Sequence, residues 1–463
     1  VFAPDTYAAR RAALADAVSG GLIVLLGNNA APMNYAANHY PFRQDGSFRY
    51  YAGADAPGLA LTIDADSGEA TLYGREATIE DRVWDGERPS VADRASAADI
   101  PDSAPPDALG GVVAAARQAG RTIHVLPPYR AEHRIRLGNL LGVAPEAVEA
   151  SDVLTDAVIA QRLVKTPQEV SEIEHAIAIA DEMHRTAMWM AQPGRTEFEV
   201  AAAIESAATS RGSYLSFPAI VTTRGEVPHH RAGSHVLEAG ELLLHDAGCV
   251  APNSGYASDI TRVSPVGGTF SERHRAIYDL VLKAQEACIA GCAPGVSFRD
   301  LHDLSSKTLA AGLVDLGLLK GDVDELVAEG AHTLFFHHGL GHPLGLDVHD
   351  LEGLGEDRVG YADEASRSTQ FGTKFLRFAR ELRPGHVMTV EPGLYFNAVL
   401  IELWRSEGRY ADAVDYDEAQ QWVGFGGVRI EDDVLITDDG HRVLGPPIPK
   451  RPEDVEAAVQ GGA

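Results

Sequence analysis

Two stretches about a hundred residues apart in this chain carry nearly the same message. AQPGRTEFEV, residues 191–200, stops one helix at Pro193-Gly194 and starts another at Thr196; CAPGVSFRDL, residues 292–301, stops at Pro294-Gly295 and restarts at Ser297. A solenoid repeats roughly every 20–50 residues, so this spacing points instead to a duplicated α/β half packed against its copy by pseudo-twofold symmetry. Each copy begins with a long helix. Thr166-Pro167-Gln168-Glu169 supplies a capping residue, a proline at the first helical position and a glutamate at the third, which satisfy or remove the free N–H groups of a starting helix. Apolar residues at 170, 173, 177, 180 and 183 then keep to one face, and the second long helix is expected from about 272 to 291.

At 463 residues the chain exceeds one ordinary core, and two domains are expected, residues 1–160 and 161–463, with the Thr166 signal marking the boundary. The first reads as strands joined by loops, for example the apolar run Leu59 to Ile63 and the Pro-, Asp- and Ala-rich segment Pro101 to Ala108. A formal charge of −28 argues against nucleic acid as a partner and for simple solubility. No run of eighteen apolar residues and no signal-peptide pattern is found, so no membrane association and a cytoplasmic location are expected. Cys249, Cys288 and Cys292 form no even disulfide framework; they are expected as core thiols of a reducing compartment.

Residues 241–263, ELLLHDAGCVAPNSGYASDITRV, read as two strands joined by a turn around Pro252-Asn253. A turn centred there sets Asp246 opposite Asp259, an arrangement that needs a positive charge between them. Two further acids, Glu391 in VMTVEPG and Glu431 in GGVRIEDDVLI, sit among β-branched residues that would bury them. Four such carboxylates roughly balance two dications, and with one imidazole they suit Mn²⁺, Co²⁺ or Zn²⁺. Two ions close together acidify a shared water, which is hydrolase chemistry.

The imidazole is sought in HHGLGHPLGLDVHD, residues 337–350. His338 and His342 are four apart, but Gly339, Gly341 and Pro343 make a helix there a poor expectation. Alternation from Leu344 to His349 reads as a strand with Asp347 and His349 on its polar face. His342 is then the expected ligand and His349 a substrate-facing group, with the glycines leaving room for a peptide and His337 and Asp350 carrying no special role.

Taken together, HDAG, SDITR, HGLGHPLGLDVHD, TVEPGLYF and VRIEDD resemble the creatinase/aminopeptidase family of pita-bread metallopeptidases, in its proline-directed branch of prolidases and aminopeptidases P. The resemblance covers about 166–440 for the catalytic domain, and HYPFRQDGSFRYYAG, residues 39–53, looks like the N-terminal domain of the same enzymes. It implies an α/β (α+β) architecture, with a C-terminal pita-bread domain of two duplicated halves and a smaller N-terminal α/β domain with a mixed sheet. It also implies two divalent ions, Mn²⁺ before Co²⁺ or Zn²⁺. Asp259 and Glu431 would be shared between the ions, Asp246 would complete one site, and His342 with Glu391 the other. Glu391 would serve as general base and acid. His349 and His338 would line the proline subsite and stabilise the oxyanion, and Arg429 would hold a ligand carboxylate. A substrate-loop histidine corresponds to His229 or His230, spacing favouring His229. Phe217 departs from the tyrosine common in relatives, and Asp432 and Asp433 are expected at a solvated strand end.

Within the branch, FLRFARELRPGHVMTVEPG resembles prolidases, where the position of Arg377 reads the free carboxylate of proline. The insertion between Tyr395 and Gly424 points the same way. The expectation is therefore a Xaa-Pro dipeptidase acting on proline-containing dipeptides or short peptides, with aminopeptidase P as the alternative and a non-enzymatic peptide-binding module as a distant one. Relatives are usually homodimers.

Overall fold

The computed structural model describes residues 2–461. The chain divides into two compact units, Val1–Arg162 with Leu351–Gly355, and Leu163–Asp350 with Glu356–Ala463.

The first unit is built on a five-stranded mixed sheet. Its strands are β1 (Leu22–Leu26), β2 (Ala60–Asp64), β3 (Ala70–Tyr73), β4 (Asp102–Ala104) and β5 (Ile123–Val125), in the order β4-β3-β2-β1-β5. β1, LIVLL, is apolar throughout and buried throughout, as a strand covered on both faces must be. It runs antiparallel to β2 and parallel to β5. The segment Pro101 to Ala108, read from sequence as loop, contributes the three-residue edge strand β4, which pairs with β3.

The second unit repeats one pattern twice. Helices Pro167–Met190 and Glu197–Thr209 precede a sheet of β6 (Ile220–Thr222), β7 (Leu242–Ala247) and β8 (Ile260–Pro265). Helices Glu272–Gly291 and Phe298–Asp315 precede a sheet that includes β9 (Val387–Val390). The remaining strands are β10 (Gly393–Tyr395), β11 (Gly427–Arg429), β12 (Asp432–Ile436) and β13 (His441–Val443), with β13-β12-β9 and β10-β11 as the paired sets. The helix signals work as their chemistry demands. Both capping boxes form, Thr166 with Glu169 and Thr196 with Glu199, and Val170, Ile173, Ile177, Ala180 and Met183 are all buried. Each large apolar side chain so buried contributes about 1.5–3 kcal/mol before entropy is charged against it. Ser297 also starts a helix, but its hydroxyl donates to the Ala379 carbonyl at 3.1 Å instead of capping.

Three local expectations change. The hairpin turn lies one residue later than its composition suggested, because Val250 bridges Ala257 and Asp246 pairs with Thr261. Asp259 is therefore diagonal to Asp246 on the same face, not opposite it. Residues 344–349 form an irregular loop rather than a strand. Its alternation reflects anchoring by buried Leu344 and Leu346, without a ladder. Asp432 and Asp433, expected in solvent, are 4% and 0% exposed. Asp432 accepts from Arg262, Lys450 and Gln285 at 2.6, 2.6 and 2.8 Å, so its charge is paired where it is buried.

Candidate active site

Strand ends from both halves of the second unit bring the acids together. Asp246 lies in β7 and Asp259 directly before β8, while Glu391 follows β9 and Glu431 precedes β12. The β9–β12 ladder pairs Asp432 with Val390, and one more step along it sets Glu431 opposite Glu391. Thr261 ties the two halves: its carbonyl accepts from Glu431 N at 3.1 Å and its hydroxyl donates to Glu431 Oε2 at 2.6 Å.

His342 reaches this centre from its loop. Its N–H donates to Thr389 Oγ1 at 3.0 Å and its carbonyl accepts from Thr389 N at 2.9 Å. Gly341 permits the approach, since a Cβ there would stand 2.0 Å from the Thr389 carbonyl oxygen. Nδ1 lies 3.1 Å from the Pro343 carbonyl. A proton held there leaves the Nε2 lone pair facing the acids, 3.4 Å from Asp259 Oδ2 and 3.6 Å from Glu391 Oε1.

Burial and mutual repulsion hold protons on Asp259, Glu431 and Glu391. Asp259 and Glu431 titrate well above the usual carboxylate range, first because they are buried and then because the other acids are close. Burial likewise pushes Glu391 up to about 8, against the pull of Arg429. Arg429 is the buried cation among them. Its Nη2 donates to Asp246 Oδ2 at 2.5 Å, its Nη1 to the Tyr395 hydroxyl at 2.9 Å and its Nε to Thr261 Oγ1 at 3.1 Å.

Arg429 pairs directly with only one of the four acids, Asp246, and the donor set fits divalent ions that would take the place of the protons on the other three. Asp259, His342 and Glu431 each offer a ligand atom, all within 4.8 Å of one another. Asp246 Oδ1 is buried without a hydrogen-bond partner, an expense that a cation would remove.

The other expected residues gather around this centre in differing degrees. The His349 ring centroid is 4.2 Å from that of His342, and its charge bears on Asp259. His229 is exposed, and its pKa is lowered by partial desolvation and Arg429 while Asp246 raises it. His230 instead meets Thr222 Oγ1 at 3.0 Å, so His229 is the histidine of that pair that senses the centre. Arg377 Nη1 donates to Glu356 Oε2 at 2.8 Å, yet its charge still reaches both Glu391 and His229. His338 is committed locally, with Nδ1 at 2.7 Å from the Gly339 carbonyl and Nε2 at 2.7 Å from the Tyr395 hydroxyl. The glycines of this loop allow close packing of the backbone. Positions 339, 341 and 345 are filled by Leu376, Thr389 and Asp350.

Three participants escaped the sequence reading. Tyr395, fully buried, links Arg429 to His338, and burial pushes its hydroxyl up to about 12. Thr261 and Thr389 support Glu431 and His342. The signal for both was their spacing, each two residues from an acid on the same strand face.

Residues 171–438 match metallopeptidase family M24, and residues 7–124 match the aminopeptidase P N-terminal domain. The Xaa-Pro aminopeptidase of Escherichia coli is 31% identical over 97% of this chain and 96% of its own length. The Xaa-Pro dipeptidase of Homo sapiens is 30% identical over 96% of this chain and 90% of its own. Among solved structures, zinc-substituted E. coli aminopeptidase P in complex with product matches with a TM-score of 0.80 at 29% identity, covering 100% of this chain and 99% of that one. The duplicated helix-and-sheet unit is thus the pita-bread fold, accompanied by the N-terminal domain of those enzymes. With its acids and histidine drawn from both duplicated halves and more than half of its length matched, this chain belongs to metallopeptidase family M24.

Proposed function

We propose that the protein is a metallo-exopeptidase that hydrolyses Xaa-Pro peptide bonds, and that it is a Xaa-Pro dipeptidase. The convergence of Asp259, His342 and Glu431 with Asp246 and Glu391 carries the hydrolase reading. Two divalent ions, Mn²⁺ first and Co²⁺ or Zn²⁺ as alternatives, would be held by these five residues, Asp259 and Glu431 being shared. When bound, such ions polarise a carbonyl and make water acidic enough to attack near neutral pH.

The chain's own groups do the rest. Glu391, whose Oε1 accepts from Thr389 Oγ1 at 3.3 Å, takes a proton from the attacking water and passes it to the leaving proline nitrogen. His349 faces the reacting carbonyl and donates to the oxygen as it gains charge. Arg429 holds Asp246 in place and, through Tyr395, orients His338. His229 borders the substrate.

Arg377 carries the dipeptidase reading. Its charge reaches Glu391 and His229, and its planar fork can receive a free proline carboxylate in place of Glu356. The second reading, an aminopeptidase P, is favoured by the full-length likeness to E. coli aminopeptidase P. A non-enzymatic peptide-binding module is disfavoured because all five ligand residues are kept. The deciding assay offers the Mn²⁺-loaded enzyme a Xaa-Pro dipeptide and a Xaa-Pro-Yaa tripeptide. Strong preference for the dipeptide, weakened by Arg377→Met mainly through KM, is expected. Comparable cleavage of both would select the aminopeptidase reading.

A homodimer is supported by the helix Ile79–Asp85, which buries no residue and leaves Ile79, Val83 and Trp84 82%, 73% and 78% exposed. The three free, buried cysteines agree with a cytoplasmic location. Among the described residues no helix is long and apolar enough to cross a membrane.

A further inference from the structure

The loop 341–350 has no regular secondary structure, yet its two ends must keep the rings of His342 and His349 4.2 Å apart. His342 is fixed by its two bonds to Thr389. The chain after it is held differently. Leu344 N donates to the Val387 carbonyl at 3.0 Å, Ala257 N donates to the Gly345 carbonyl at 2.8 Å, and Asp350 N closes the loop on the Pro343 carbonyl at 2.9 Å. Within that closure the turn before His349 gathers around the Asp350 carboxylate, whose Oδ1 accepts from Asp347 N at 3.3 Å.

Oδ2 of the same carboxylate meets Lys165 Nζ at 2.9 Å, both side chains being 1% exposed. The lysine is itself anchored. Its backbone N–H donates to the Gly385 carbonyl at 2.8 Å, and its Nζ also lies 3.4 Å from the Leu163 carbonyl. Gly385 stands two residues before β9, the strand that leads to Glu391. Gly345 completes the fit, because a Cβ there would stand 2.4 Å from Asp350 Oδ2 and 3.0 Å from Lys165 Cε. A fully buried ion pair is a poor source of stability, since desolvating both charges offsets most of their attraction and apolar replacements are often as stable. What such a pair supplies is a single geometry.

We propose that Lys165 is a positioning residue of the hydrolytic site, acting through Asp350 to hold His349 in register with His342. This rests on the reading of His349 as a substrate-facing group. Because His342 has its own anchor on Thr389, the pair governs His349 and leaves metal affinity alone.

The test is the double variant Lys165→Met/Asp350→Leu, with His349→Ala as the reference background. We expect thermal stability equal to or above that of the parent, Mn²⁺ affinity by calorimetry within about threefold, and kcat lowered at least tenfold. Added to His349→Ala, the same two changes should lower kcat no further, and a crystal structure should find His349 displaced while His342 stays. Lys165→Gln/Asp350→Asn, which restores a hydrogen bond of similar shape, should recover part of kcat. Full kcat in the apolar variant, or a loss that multiplies with that of His349→Ala, would overturn the proposal. Failure of both double variants to fold would make the pair a brace of the fold and overturn it as well. An unmodified enzyme that cleaves no Xaa-Pro substrate would count against the proposed activity instead, and the displacement of His349 would still decide the positioning role.

Discussion

Glu391, like Asp259 and Glu431, is led by burial to keep its proton. Held up to about 8 by desolvation and the nearby acids, it is protonated at neutral pH until positive charge enters the site. Glu391→Gln keeps the shape and removes the proposed base, so the fold should persist by circular dichroism while turnover drops at least about a hundredfold. Stability of metal-stripped protein follows from the same shift. Below pH 4.5 the group is protonated folded or unfolded; between 4.5 and about 8 the unfolded chain sheds its proton and the folded one keeps it. Stability should therefore fall as pH rises through that window, and Asp259 and Glu431, also raised, steepen the fall. Mn²⁺ should flatten the profile, which thermal melts across pH with and without chelator will measure. Tyr395→Phe removes the hydroxyl between Arg429 and His338. A hydrogen bond to a charged group is worth about 1.5–3 kcal/mol, so kcat should fall roughly tenfold to a hundredfold with metal content unchanged. The acids that converge here were legible in the sequence because acids among β-branched residues are conspicuous. Tyr395 was not, because an aromatic residue in an apolar strand looks like core until its hydroxyl's partners are known.

Elements were legible wherever the signal was local. The helix starts at Thr166 and Thr196 rest on side chain and backbone groups three residues apart, and the structure keeps both. Thr166→Ala should cost about 1 kcal/mol, seen as a small drop in the denaturant midpoint with activity retained. Hairpin register was less legible, since the choice between turn centres one residue apart depends on pairings across the sheet. The loop 344–349 misled for a related reason, as alternating leucines can anchor a loop as well as a strand. Gly341 marks the sharpest constraint at this scale. Gly341→Ala would drive a Cβ to 2.0 Å from the Thr389 carbonyl, parting His342 from β9, and should abolish metal binding by calorimetry before it unfolds the domain.

At the scale of the molecule, duplication was readable from two short phrases, but the seam it creates was not. The exposed Ile79, Val83 and Trp84 make Trp84→Glu the informative change for assembly. If that helix face is the dimer contact, light scattering should find the variant as monomer with its secondary structure intact. Division of labour across the seam is uneven: Asp246 and Asp259 come from the first half, His342, Glu391 and Glu431 from the second. Gly267 and Gly268 lie on the passage between them, both with positive φ. A chain cut there yields two pieces, each with part of a catalyst and neither with all of it. Fused to separate partners, such pieces would turn over substrate only when the partners meet, so the ancestral-looking repeat doubles as the design for a split-enzyme reporter of molecular proximity.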